Sequence, residues 1–61
     1  MKVLYVSGLE GLLVDYDKKI IKPYDDIDAY NISFNAEVWV KNIDELRKLY
    51  TTLKHSGFII K

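Results

Sequence analysis

The chain has no cysteine, and only one histidine and one proline among its 61 residues. Without cysteine it forms no disulfide bond, and a structural zinc site, which takes four Cys or His ligands, is excluded in practice. A chain this short buries only about 60% of the surface that its unfolded form exposes. Small domains without such cross-links gain stability from idealised packing or from a second subunit. We therefore expect a homodimer.

Net charge and long apolar runs are also absent. Nine Lys and Arg balance nine Asp and Glu, so the total charge predicts no attraction to nucleic acid or to an anionic membrane. No apolar run approaches the roughly 20 residues that span a bilayer. The opening MKVLYV is not expected to be a signal peptide, because its apolar run stops at Ser7 and Gly8. We expect one compact, cytoplasmic domain over residues 1–61, without membrane contact.

Hydrophobic alternation and turn residues predict four strands in the first two thirds of the chain. These strands span residues 2–6, 12–16, 19–22 and 30–41. Gly8 and Gly11 predict a connection with positive φ at one or both glycines. The pair Asp17 and Lys18 predicts a two-residue turn, and Pro23 is expected to end the third strand because it cannot donate to a ladder. Residues 23–28 are acidic and rich in turn formers, which favours a surface loop.

The alternation is clearest over residues 30–41, where one residue departs from it. The even positions are apolar: Tyr30, Ile32, Phe34, Ala36, Val38 and Val40. The odd positions are polar except for Trp39, the one tryptophan of the chain. Trp39 is therefore expected to project from the face that meets water, where a large aromatic is typical of a contact point. Two alternatives stay open. A bulge or hairpin turn at Asn35 and Ala36 would shift the alternation by one residue and could turn Trp39 inward. Alternatively, the 23–29 loop or the N-terminal hairpin could cover Trp39 as part of a second core.

The helix has the strongest local signals. Asn42 fits an N-cap and Glu45 follows three residues later, while Gly57 suits the position after the C-terminus. One apolar stripe runs along it: Ile43, Leu46, Leu49, Tyr50 and Leu53. With a last strand at residues 58–60, the order is β-β-β-β-α-β. We expect a small two-layer α+β domain whose mainly antiparallel sheet is covered on one face by a single helix near residues 42–55. The last strand is expected to lie parallel to the fourth, whose even face and the helix stripe should supply most of the core.

The sequence carries no complete catalytic or phosphate-binding motif. His55 and Ser56 are neighbours, but adjacent helical side chains point about 100° apart and do not face each other. Gly8-x-x-Gly11 is too short for a nucleotide-binding loop. We therefore expect no enzymatic activity and no cofactor.

An acidic stretch partly matches a calcium-binding loop. Asp26, Asp28 and Glu37 fall at the first, third and twelfth positions of such a loop. However, Tyr30 and Asn31 stand where an oxygen ligand and an invariant glycine are required. We therefore expect no metal site, and interpret the stretch as an acidic surface loop.

The remaining signals favour contact with another protein. The candidate residues are Trp39, Glu37, Lys41, Tyr24, Asp25, Asp26 and Asp28, with two expected edge strands at residues 19–22 and 57–61. Trp and Tyr dominate many binding interfaces, and an exposed strand edge can pair with another chain. The sequence thus predicts a small non-enzymatic protein-binding module: an inhibitor, an adaptor or a small subunit. Small phage or mobile-element proteins that block host factors are of this kind.

A nucleic-acid-binding surface is the alternative. Its candidates are Arg47, Lys48, Lys54 and His55 on the helix, and Lys18 and Lys19 on the hairpin. Exposed aromatic rings bordered by such residues can stack bases beside a basic groove. The zero net charge argues against it, because non-specific binding needs a net electrostatic attraction.

Overall fold

The computed structural model describes residues 1–26 and 36–61. The strands are β1 (Lys2–Ser7), β2 (Glu10–Asp15), β3 (Ile20–Tyr24), β4 (Ala36–Trp39) and β5 (Ile59–Ile60), and α1 (Ile43–His55) lies between β4 and β5. The predicted order β-β-β-β-α-β and the two-layer α+β class are confirmed. Of the predicted fourth strand, residues 30–35 lie outside the described residues, so the choice between one long strand and a hairpin is not addressed.

The five described strands form one mixed sheet in the order β4-β1-β2-β3-β5. The antiparallel pairings, β1 with β2 and β2 with β3, span six and five positions. The parallel pairings, β1 with β4 and β3 with β5, span four and two positions. Antiparallel pairing therefore dominates, as predicted. β5 runs in the same direction as β4, also as expected, but three strands separate them.

The two hairpin turns differ in how well the sequence predicts them. Gly8 has φ +62° in the turn between β1 and β2, as its lack of a side chain allows. The connection from β2 to β3 has four residues rather than the predicted two. The Asp15 carboxylate accepts hydrogen bonds from the backbone N–H groups of Asp17 (3.1 Å) and Lys18 (3.2 Å), and Lys19 adopts φ +56°. This local side-chain bonding closes the turn without the glycine that a tighter turn requires.

Pro23 lies inside β3 and does not end it. The Ile21 carbonyl accepts from the Lys61 N–H at 2.9 Å, so the odd-numbered residues of β3 turn their N–H and C=O groups away from β2. The nitrogen of Pro23 faces the same way, and β5 pairs only with Ile20 and Ile21. Residues 19–22 were predicted to form an edge strand. This is wrong for Ile20 and Ile21, because β5 pairs with them on the outer side of β3.

The core lies between α1 and the sheet. Its buried cluster consists of Leu12, Val14, Ile21, Leu46 and Leu53. The predicted helix stripe is confirmed, since Ile43, Leu49 and Tyr50 pack against this cluster. The N-cap is also confirmed, because the Asn42 side chain accepts from the Glu45 N–H at 3.0 Å.

The expectation that the fourth strand supplies much of the core is only partly met in its described part, where Val40 packs against the buried cluster. Val38 is 42% exposed, and neither it nor Ala36 is buried. β4 has one neighbour in the described sheet, and the helix packs mainly on β1 and β2. An apolar side chain at this edge therefore lacks the neighbours that would cover it.

Candidate functional site

The cross-strand register arranges side chains in rows on the face of the sheet turned away from α1, which we call the far face. The first row holds Trp39, Val6, Gly11 and Tyr24; the second holds Glu37, Leu4, Leu13 and Lys22; the third holds Lys2, Asp15, Ile20 and Ile59. Opposed residues of neighbouring strands share a face, so each row crosses the sheet.

Trp39 stands at one end of the first row and Tyr24 at the other. Trp39 is 69% exposed, in agreement with the orientation expected from the alternation. Tyr24 is half-buried and lies three strand spacings away, roughly 14 Å. Glu37 and Lys41 are exposed on either side of Trp39. The structure thus brings Trp39, Glu37 and Lys41 together on one edge of the sheet, while their role in binding stays a prediction.

The far face is buried along the middle of β1. Leu4 and Val6, in the second and first rows, are only 3% and 2% exposed. β1 therefore carries buried apolar residues on both of its faces, as an interior strand does. The accessible surface of the far face lies on either side of these two residues, with Trp39 and Glu37 on β4 and a group of lysines around β2 and β3.

The outer edge of β4 presents backbone groups as well as side chains. The Val40 N–H donates to the Val6 carbonyl at 2.7 Å, and alternate residues along a strand turn to opposite sides. Glu37 and Trp39 therefore direct their N–H and C=O groups away from β1. Within residues 1–26 and 36–61, no other strand pairs with this edge.

The basic residues of the nucleic-acid alternative lie on opposite layers of the domain. Arg47, Lys48, Lys54 and His55 are exposed along α1. Lys18 instead lines a depression of about 310 Å³ on the far face. Lys19 lies in the turn before β3, where its carbonyl accepts from the Ile59 N–H at 2.9 Å. The fold thus separates the helix residues from Lys18 and does not join them into one basic surface.

A cleft of about 330 Å³ opens where the first half of α1 meets the end of the β2–β3 hairpin. Its lining includes Tyr24, Asp25 and Arg47, beside the apolar Leu12 and Ile43. From the sequence, Tyr24 and Asp25 are candidates for protein contact and Arg47 for nucleic-acid contact; their proximity depends on how the helix lies on the sheet. Asp26 follows and is exposed, whereas Asp28 lies outside the described residues.

Two tyrosines join the sheet to the end of the helix. The hydroxyls of Tyr5 and Tyr16 share a hydrogen bond, and the Tyr16 ring meets the Phe58 ring edge-on at 5.9 Å. Burial, the hydrogen bond to Tyr16 and electrostatic repulsion from Tyr16 raise the pKa of Tyr5 to about 12. Tyr5 is therefore un-ionised at neutral pH, and the pair is a packing element rather than an acid or base.

Two further chemical candidates are the hydroxyl of Ser56 and a group of metal-ligating side chains. The Ser56 hydroxyl donates to the Thr52 carbonyl at 3.0 Å and so is engaged in the helix end. Among residues 1–26 and 36–61, no three His, Cys, Asp or Glu side chains are grouped to hold a metal ion. In the same residues, no helix has the length and apolar character needed to cross a membrane.

Comparison of the chain with protein-family models, with curated proteins and with solved structures gave no match.

Proposed function

We propose that the protein is a small non-enzymatic binding module that takes up a partner protein along the outer edge of β4. The observation that carries this proposal is the 69% exposure of Trp39 at the end of an edge strand. Exposed Trp residues are strongly over-represented among the side chains that dominate binding energy.

The backbone of β4 supports the same surface. Its outward N–H and C=O groups at Glu37 and Trp39 match the requirements of strand addition, in which an extended partner segment extends a sheet. In that arrangement the backbone supplies hydrogen bonds and the side chain of Trp39 supplies the apolar anchor. A second copy of this chain, paired antiparallel through the same edge about a twofold axis, is one such partner, and it would give the homodimer expected from the chain's size.

The test compares two proline substitutions on opposite edges of the sheet. Glu37→Pro removes an outward N–H from β4. Ile60→Pro removes one from β5, where the N–H groups of Ile59 and Lys61 are the ones bonded to the sheet. Proline is tolerated at such outward positions, so both variants should fold. Tagged wild-type protein and both variants are used for affinity capture from source-cell lysate, with and without nuclease, and each is checked by far-UV circular dichroism.

We expect wild type and Ile60→Pro to capture a partner in stoichiometric amount, and we expect nuclease treatment not to release it. The partner is either another protein or a second, differently tagged copy of this chain. Glu37→Pro should lose it. Retention by a folded Glu37→Pro variant would contradict the proposed edge. Loss in Ile60→Pro alone would place the contact on β5 instead, and loss on nuclease treatment would favour the nucleic-acid alternative.

A further inference from the structure

A basic depression lies on the far face, over β2 and β3 near the turn that joins them. It measures about 310 Å³, and its charged rim is formed by Lys2, Lys18, Lys22 and Lys61 around a floor of Leu13 and Ile20. Leu13 and Ile20 are half-buried, so the floor exposes aliphatic surface. Four ammonium groups thus surround an apolar patch on a protein whose net charge is zero.

One aspartate is among the described residues of the depression, and its carboxylate already accepts two hydrogen bonds. Asp15 lines the depression, but an oxygen of its side chain accepts the backbone N–H groups of Asp17 and Lys18. Asp17, in the turn next to Lys18, is paired with the N-terminal ammonium of Met1, and Glu10 and Asp25 lie at the opposite end of the hairpin, beside the cleft under α1. Among the described residues that line the depression, four lysines outnumber one aspartate, so the lining carries an excess of positive formal charge.

We infer that this depression binds an acidic polypeptide segment that carries an aliphatic side chain between its carboxylates. The lysines of the rim supply compact positive point charges that attract carboxylates, and the floor accepts an aliphatic group by burial of apolar surface. A nucleic acid fits less well. Its bases stack on aromatic rings, whereas the floor is aliphatic, and a chain of zero net charge gives little long-range attraction to a polyanion.

The inference concerns a surface distinct from the β4 edge, and its test does not depend on that edge. The probe is a short fluorescent peptide in which glutamates flank a central leucine, titrated by fluorescence anisotropy at low and physiological salt. Its comparators are the same peptide with glutamine in place of glutamate, and an oligothymidylate of equal charge. The protein variants are Lys18→Glu/Lys22→Glu, the milder Lys18→Gln/Lys22→Gln, and Lys48→Glu/Lys54→Glu, which makes the same charge change on the opposite layer.

We expect the acidic peptide to bind, to weaken with salt, and to bind Lys18→Glu/Lys22→Glu roughly tenfold or more weakly, because exposed ionic contacts are individually weak but several are reversed. The glutamine variant should be intermediate, and the helix variant and Trp39→Ala should bind as wild type. Absence of saturable binding at low salt, or equal loss in the helix variant, would overturn the inference. Tighter, lysine-dependent binding of the oligothymidylate would overturn it in favour of nucleic acid. Self-association that depends on Lys18 and Lys22, without peptide binding, would overturn it in favour of a second copy.

Discussion

Replacing Trp39 by alanine should separate binding from folding. Trp39 is 69% exposed, and a Trp side chain buries roughly 150–250 Å² when it is covered completely. A partner that covers the exposed part would remove roughly 100–170 Å² from water, which at about 25 cal/mol per Å² amounts to ~3–4 kcal/mol. Trp39→Ala should therefore weaken partner binding by roughly 10²- to 10³-fold.

The same substitution should have a smaller effect on stability. Only the remaining third of the side chain is packed within the domain, which corresponds to ~1–2 kcal/mol of unfolding free energy. Urea denaturation followed by far-UV circular dichroism measures this term without relying on the fluorescence of Trp39. Calorimetric titration of the partner measures the loss of affinity.

Ile59→Ala is the matched control. Ile59 is 62% exposed on β5, at the opposite edge of the described sheet, so its truncation should leave the affinity unchanged. A loss of stability of about 3–5 kcal/mol in Trp39→Ala, the range of a buried aromatic, would refute the reasoning by identifying Trp39 as core. Unchanged affinity for a captured partner would refute the proposed role of Trp39 at the interface.

Three further predictions concern the fold. Asn42→Ala removes the side chain that accepts from the Glu45 N–H and should lower the unfolding free energy by about 1 kcal/mol in urea titrations; no change would show that the cap is energetically silent. Lys19→Gly relieves the left-handed conformation at φ +56°, a gain of roughly 1–2 kcal/mol partly offset by ~0.5–1 kcal/mol of unfolded-state entropy, so the melting temperature should rise, and a fall would contradict this. The raised pKa of Tyr5, about 12, gives a stabilisation that is complete below the unfolded pKa of about 10 and is lost as pH rises through about 12. An alkaline absorbance titration should show this late-ionising phenol in wild type, and its persistence in Tyr5→Phe would refute the assignment.

Local signals predicted the helix well, because everything that determines its ends lies within a few residues. The N-cap bond joins Asn42 to Glu45, and the stripe that includes Leu46 and Leu53 repeats at helical spacing and meets the sheet. Gly57, expected after the helix, has φ +98°. The length of the β2–β3 turn was predicted wrongly because two hydrogen bonds that the Asp15 carboxylate accepts from backbone N–H groups stabilise a four-residue turn.

The parts of the site that the sequence could not provide depend on strand order and register. Alternation predicted that Trp39 points outward, but it could not show that Tyr24 shares its row or that Arg47 and Asp25 line one cleft. It also could not show that Val38, an apolar residue on the correct face, would remain exposed at the edge. Burial is decided by neighbouring strands and by the position of the helix, and these are tertiary properties.

The path of α1 has a consequence for the order in which the molecule assembles and opens. β1, β2 and β3 follow one another through short turns, whereas β4 and β5, at opposite edges of the described sheet, are the two flanks of the same helix. Sequence-local pairings close at low entropic cost, and distant ones close later. We therefore expect the three-stranded meander to form first and to persist longest, with the outer strands and α1 detaching as one cooperative unit. The edge proposed for partner binding would then belong to the least persistent part of the fold, and an added strand at β4 would slow amide exchange in β5 as well.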